Sequence, residues 1–236
     1  CQNSPQSVTL SGGAIAISQV HSILSQKGIF ARILNTSQNA YHSHLVKDAG
    51  QYYESSFKSS LPTSPPTSAC SDIPMYSCIK PKVLTNSNDV RIEYWRENLE
   101  SPVNFTQALS SLLEAHPTVN CLIEIGMHSA LSGPIKQIRS SLGIEPERLT
   151  YFPSIIRGED SVENVLKLAG SLFSNGYPIN TDAVNAEGGE TGQFLPDLPN
   201  YQWNYEGDIL WAENRLSRQL RFRKHPRHDI LGSLQL

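Results

Sequence analysis

The sequence lacks the features of secreted and membrane proteins. Its four cysteines show no CxxC spacing and are too sparse for a disulfide framework, so we expect reduced thiols. No window approaches the roughly eighteen apolar residues of a membrane span, and the first residues lack the charged and apolar regions of a signal peptide. We therefore expect a cytoplasmic protein that binds no membrane. The cysteines are Cys1, Cys70, Cys78 and Cys121.

The chain also lacks a strong charge of either sign. Its 19 basic and 22 acidic residues among 236 give a net charge of −3, so we expect no nucleic-acid partner. Basic residues cluster only at 215–227, where a solvated connector is the simpler interpretation and contact with an acidic carrier domain is the alternative. Hydrophobic residues make up 39% of the chain, which is enough to build a globular core.

Strand and helix patterns alternate along the chain, which is typical of an α/β fold. One helix should end at Gly28, a suitable left-handed C-cap, and another should begin after Asp160, a suitable N-cap. The second helix should bury Val162, Val165, Leu166, Ala169, Leu172 and Phe173. Further helices are predicted at 43–60, 89–99 and 130–142 and from Phe105, with strands at 7–10, 29–34, 73–78 and 121–126, one ending at 155–158, and a loop at 62–68.

The stretch 39–45 places His42 where a predicted strand gives way to a predicted helix. Imidazole exchanges protons freely near neutral pH, but a lone histidine at a surface turn is the plainer interpretation of the residues alone. His42 and His44 could also form a metal pair. Zinc needs at least one further ligand, and none lies nearby in the sequence, so we predict no metal site.

Three blocks follow one another along the sequence: NAYHSHL at 39–45, WRENLESPVNF at 95–105 and EIGMHSAL at 124–131. The first is similar to the signature around the active-site histidine of the acyltransferase domains of fatty acid and polyketide synthases, the malonyl-CoA transacylases. The second resembles W-x-x-N-L-x-x-P-V-x-F of that family, and the third resembles E-x-G-P-H-x-x-L, with Met127 in place of the proline. The Tyr-His-Ser-His sequence at 41–44 is most similar to that of fungal iterative reducing type I polyketide synthases, and the animal-type fatty acid synthase is the alternative.

The resemblance covers essentially the whole chain and implies four parts. These are the end of a ferredoxin-like subdomain at 1–38, the C-terminal part of an α/β-hydrolase-like acyltransferase core at 39–176, an irregular post-acyltransferase linker at 177–224, and the start of a dehydratase (hotdog) domain at 225–236.

The resemblance also implies a two-step acyl transfer from malonyl-CoA to the phosphopantetheine thiol of an acyl carrier protein, with no cofactor bound by this region. His42 matches the general base of the family. Asn98 matches the residue that holds the other ring nitrogen, often through its backbone carbonyl, although capping of its own helix turn is equally open. Tyr41 and Asn3 match substrate-binding positions. An aromatic residue at the position of Tyr41 accompanies malonyl in the family, whereas serine accompanies methylmalonyl.

No G-x-S-x-G elbow occurs in the chain, and neither 11–13 nor 132–134 can replace one. We expect the nucleophilic serine, an oxyanion-hole donor and the arginine for the malonyl carboxylate upstream of Cys1. The 236 residues alone should then be inactive, and a docking or linker scaffold is the alternative interpretation. The expected partners are the acyl carrier protein and the ketosynthase and dehydratase domains of the same chain.

Overall fold

The computed structural model describes residues 1–60, 73–80, 82–186 and 195–204. The chain divides into two compact units, 1–184 and 185–236. The division into four parts at 1–38, 39–176, 177–224 and 225–236 stays a prediction. The predicted loop at 62–68, the basic cluster at 215–227 and the dehydratase segment at 225–236 lie outside the described residues.

Within the described residues the chain forms seven α-helices, six short strands and two 3-10 turns, and none of these helices is both long and apolar enough to cross a membrane. The strands are β1 Gln2–Ser4, β2 Ser7–Val8, β3 Met75–Tyr76, β4 Val83–Leu84, β5 Cys121–Glu124 and β6 Thr150–Pro153. The helices are α1 Ala14–Gln26, α2 Lys47–Ser60, α3 Ile92–Glu100, α4 Phe105–Ala115, α5 Ser132–Ser141, α6 Ser161–Ser174 and α7 Thr181–Asn185, and the 3-10 turns are His44–Val46 and Ser87–Val90.

The strands form three two-stranded sheets. β1 with β2 and β3 with β4 are antiparallel, whereas β5 and β6 are parallel, with Cys121 opposite Thr150 and Glu124 opposite Pro153. Parallel strands need a long crossover connection, usually a helix, and α5 supplies it here. The β5–α5–β6 unit is thus the α/β arrangement that the sequence pattern predicts.

The core lies between α4, α5 and the residue that precedes β6. It is built from Leu109 and Leu113 of α4, Ile135 and Ile138 of α5, and Leu149. The apolar stripe predicted on α4 therefore faces the core. Burial of each large aliphatic side chain contributes about 1.5–3 kcal/mol to folding, and this cluster fixes α4 and α5 beside the parallel pair.

The strands predicted at 7–10, 73–78 and 121–126 are present but shorter, at Ser7–Val8, Met75–Tyr76 and Cys121–Glu124. Two other strand predictions are wrong. Residues 29–34 form no strand, and Phe30 is 92% exposed. An apolar run becomes a strand only where a neighbour completes its hydrogen bonds, and none of the described residues pairs with this one. The strand predicted to end at 155–158 ends at Pro153 instead, because Ser154 is the last residue whose backbone N–H reaches β5, at Glu124 O.

The buried face predicted for α6 is wrong at four of its six residues, although the N-cap of the helix is confirmed. The Asp160 carboxylate accepts a hydrogen bond from Glu163 N at 2.9 Å. The helix buries Asn164 and Leu172, while four of the predicted core residues are exposed. Helical spacing shows that an apolar stripe exists but not what covers it. The exposed residues are Val162, Val165, Leu166 and Phe173.

The predicted central strand is covered less than expected. Among the described residues β5 pairs only with β6, and Ile125, just beyond the end of β5, is 91% exposed. α1 ends at Gln26, with Lys27 as its C-cap, and Gly28, the predicted C-cap, is the next residue. Its φ of +67° is the left-handed conformation that the prediction assigned to it.

Candidate active site

His42 lies in the connection between α1 and the 3-10 turn His44–Val46, in a left-handed backbone conformation with φ of +59°. Left-handed φ is uncommon for a residue other than glycine. Ser43 follows and caps the turn, because its hydroxyl accepts a hydrogen bond from Leu45 N at 3.2 Å. The imidazole is therefore presented from a sharp bend, and it is partly buried.

Two hydrogen bonds tie His42 to the C-terminal turn of α3. Its backbone N–H donates to Leu99 O, and its ring Nδ1 lies 2.9 Å from Asn98 O. A carbonyl can only accept, so Nδ1 carries the proton and Nε2 of the neutral ring carries the lone pair. The contact thus selects the tautomer in which Nε2 can take up a proton.

The position at a helix terminus makes both carbonyls available. The last carbonyls of a helix lack intrahelical partners, and here Leu99 O accepts the His42 backbone N–H while Asn98 O accepts the ring Nδ1–H. Asn98 O therefore orients the ring, as a carboxylate does in a triad.

Asn98 contacts the His42 ring through its backbone carbonyl, not through its side chain. Among the described residues its side chain makes no hydrogen bond, and the C-cap of α3 is Ser101, whose N–H donates to Glu97 O. Capping of its own turn by the Asn98 amide is therefore not observed. The two residues that the sequence analysis paired, His42 and Asn98, are brought together across 56 positions of sequence.

The other two predicted site residues do not join this pair in the described structure. Tyr41 is 46% exposed beside His42. The Asn3 side-chain amide donates to Thr9 Oγ1 at 2.9 Å, within the β1–β2 hairpin region. Among the described residues no hydrogen bond links either residue to His42 or Asn98.

The third sequence block forms a braced turn between β5 and α5. The Glu124 carboxylate accepts hydrogen bonds from Leu131 N, at 3.2 Å, and from the Tyr151 hydroxyl. Burial and this carboxylate raise the pKa of Tyr151 above its usual value. His128 Nδ1 accepts from Arg157 N at 3.3 Å. Within the residues described, no group of three His, Cys, Asp or Glu side chains could hold a metal ion.

Sequence reasoning missed an ion-pair network beside the site. Arg96 on α3 donates through Nε to Glu100 and through Nη1 to Glu54 on α2, each at 2.8 Å. Lys58 also pairs with Glu54. The spacing of Glu54 to Lys58 and of Arg96 to Glu100 is i to i+4, which signals pairs within each helix but not the bond between helices.

The profile of the family described as "Acyl transferase domain" matches residues 1–177. "Highly reducing polyketide synthase resH" of Aspergillus sclerotiorum is 47% identical over 247 residues, which cover 99% of this chain and 10% of that protein. A "Highly reducing polyketide synthase" of Pyrenophora dematioidea is 47% identical over 236 residues, which cover 99% and 9%. The chain thus spans about a tenth of the length of these relatives.

Among solved structures, the chain is similar to the acyltransferase domain from the second module of the salinomycin polyketide synthase. The TM-score is 0.61 at 23% identity, over 82% of this chain and 42% of that one. The acyltransferase domain from module 8 of the same synthase gives a TM-score of 0.56 at 21% identity, over 72% and 37%. These two similarities show a shared α/β acyltransferase fold.

Proposed function

Because this chain belongs to the acyl transferase domain family, we propose that it forms part of the acyltransferase of a fungal reducing polyketide synthase and loads a malonyl extender unit. The resemblance found in the sequence is confirmed, as is the α/β fold class. The proposed donor is malonyl-CoA, and the proposed acceptor is the phosphopantetheine thiol of an acyl carrier protein in the same synthase. Ketosynthase and dehydratase domains are the proposed neighbours in that chain.

The observation that carries this proposal is the 2.9 Å contact between His42 Nδ1 and Asn98 O. It leaves Nε2 as the proton acceptor, which is the nitrogen a general base needs. In the first half-reaction Nε2 takes the proton of a serine hydroxyl in the complete domain while that oxygen attacks the thioester carbonyl. The same proton then passes to the departing CoA sulfur, so that a malonyl-serine ester and free CoA result.

The second half-reaction uses the same nitrogen in the opposite direction. Nε2 takes the proton of the carrier thiol, whose sulfur attacks the ester, and then returns a proton to the serine oxygen as it leaves. The product is a malonyl thioester of the carrier, and His42 is again neutral. Throughout, Asn98 O holds the ring, and no atom of the Asn98 side chain takes part.

The experiment that tests this function is serine acylation in the complete synthase. His42→Ala should slow formation of the malonyl-enzyme by 10²- to 10⁴-fold, the usual contribution of a general base. His44→Ala is the matched control, since His44 lies two residues away in an exposed position, and it should acylate at the parental rate. Intact-protein mass spectrometry after mixing with malonyl-CoA gives both rates. Acylation of His42→Ala at the parental rate would show that His42 is not the base.

Malonyl is the proposed extender because Tyr41 stands next to the base, where a tyrosine leaves less room than a serine for an extra methyl group. One methyl group in an apolar pocket changes discrimination by about 1–3 kcal/mol. Competition between malonyl-CoA and methylmalonyl-CoA should favour malonyl, and Tyr41→Ser should reduce the preference. Preference of the parental enzyme for methylmalonyl would contradict the assignment. A substrate-binding role for Asn3 stays a prediction. In this structure its side-chain amide donates a hydrogen bond to Thr9 Oγ1.

A further inference from the structure

α2 and α3 pack side by side, and the chain connects each of them closely to one partner of the catalytic hydrogen bond. His42 lies five residues before Lys47, the first residue of α2, and Asn98 lies two residues before Glu100, the last residue of α3. The 3-10 turn His44–Val46 contacts both helices. We therefore expect a shift of α2 along α3 to change the distance between the His42 ring and Asn98 O.

Arg96, in the middle of α3, ties this helix to the middle of α2 through Glu54 and to its own C-terminal turn through Glu100. Its guanidinium donates separate N–H groups to Glu100 on its own helix and to Glu54 on α2. The two carboxylate side chains are only 14% and 17% exposed, so their charges are less screened than on an open surface. Without Arg96, the carboxylate of Glu100 would lose its cation, and Glu54 would keep Lys58 alone.

Gly50 provides the space in which the network sits. A Cβ added at Gly50 would overlap Glu100 Oε1 and lie 3.0 Å from Glu100 Cδ. The Glu100 side chain, which Arg96 holds in place, thus rests against the backbone of α2 and would have to move to admit a methyl group. Glycine is otherwise an unfavourable choice inside a helix, so the position of the Glu100 side chain accounts for Gly50.

We propose that Arg96 and Gly50 are positioning residues that hold α2 in register against α3 and so fix the hydrogen bond between His42 and Asn98. The inference rests on the proposed function of His42, and it adds residues that touch neither substrate nor the reacting atoms. A base displaced by an ångström can lose about 10²-fold in rate. The network therefore controls the orientation of the His42 ring relative to Asn98 O.

The test compares Arg96→Met, Arg96→Lys and Gly50→Ala in the complete synthase. Single-turnover acylation at saturating malonyl-CoA should fall about tenfold in Arg96→Met and Gly50→Ala, with KM within about twofold of the parent, since the ring is misaimed but the acyl site is intact. Arg96→Lys should lie between, because an ammonium lacks the planar fork that reaches both carboxylates. Lys167→Met is the matched control: it breaks the exposed Lys167–Glu163 pair of α6 and should leave the rate unchanged.

A second arm separates positioning from simple packing. Glu100→Ala removes the carboxylate that Gly50→Ala would strike, so the double variant should acylate no more slowly than Glu100→Ala alone. Additive losses would overturn the inference, as would parental rates in Arg96→Met and Gly50→Ala, or losses that vanish once rates are corrected for the folded fraction. If Arg96→Met does not fold, Arg96→Lys is judged by the same criteria. Parental acylation in His42→Ala would instead refute the proposed function itself.

Discussion

Replacement of Asn98 by alanine is the sharpest test of how the site works, because the structure assigns the contact to its backbone. Asn98→Ala keeps the carbonyl oxygen that lies 2.9 Å from His42 Nδ1 and deletes only the side-chain amide. Alanine also has a higher helix propensity than asparagine, so the last turn of α3 should persist. The His42 ring should therefore stay oriented, and its tautomer should be preserved.

The expected size of the effect follows from what is lost. With the carbonyl retained, we expect acylation to slow by less than about tenfold, which is about 1.4 kcal/mol of transition-state stabilisation. His42→Ala removes the proposed base and should slow acylation by 10²- to 10⁴-fold, or about 2.7–5.5 kcal/mol. The two variants should thus differ by at least about tenfold in the same assay.

The assay is rapid mixing of the complete synthase with malonyl-CoA, followed by acid quench and intact-protein mass spectrometry of the acyl-enzyme. Rates are corrected for the folded fraction, taken from the thermal transition of each variant. A loss in Asn98→Ala as large as that in His42→Ala would refute the reasoning, since the amide and not the carbonyl would then be the group that acts on the ring.

Two further predictions concern stability. Ile138→Ala should lower the free energy of unfolding by about 2–5 kcal/mol, because Ile138 is fully buried, whereas Val162→Ala on the exposed face of α6 should change it by less than about 0.5 kcal/mol in the same denaturant titration. The hydrogen bonds from Lys58 and Arg96 lower the pKa of Glu54, so its contribution is present above the ordinary carboxyl pKa and disappears as pH falls through the lower folded value. The thermal stability that the parent has over Glu54→Gln should therefore shrink on acidification, and a margin that widens would contradict this sign.

The predictions that hold best are those that depend only on residues close together in the sequence. The cap of Asp160 on α6, the left-handed Gly28 just after α1 and the stripe on α4 are local patterns, and each is present. The strand at 29–34 and the buried face of α6 depend on neighbours distant in sequence, and both predictions are wrong. Propensity and period state what an element can bury, while tertiary contacts decide what it does bury.

The candidate site divides in the same way. Motif resemblance paired His42 with Asn98, and the structure supplies the contact that the pairing requires. The bond between Arg96 and Glu54 could not be found, because its members lie 42 positions apart on helices whose relative register no local pattern specifies. Gly50 carries a weak signal, since glycine inside a helix has a cost and often marks close backbone approach.

The left-handed backbone at His42 has a consequence for how this position can evolve. An L-residue held there costs about 1–2 kcal/mol relative to the right-handed form, and glycine would avoid nearly all of that penalty. Folding stability alone would therefore favour glycine at position 42, whereas the proposed role as general base requires the imidazole of histidine. Position 42 is thus a site at which folding and the proposed chemistry favour different amino acids.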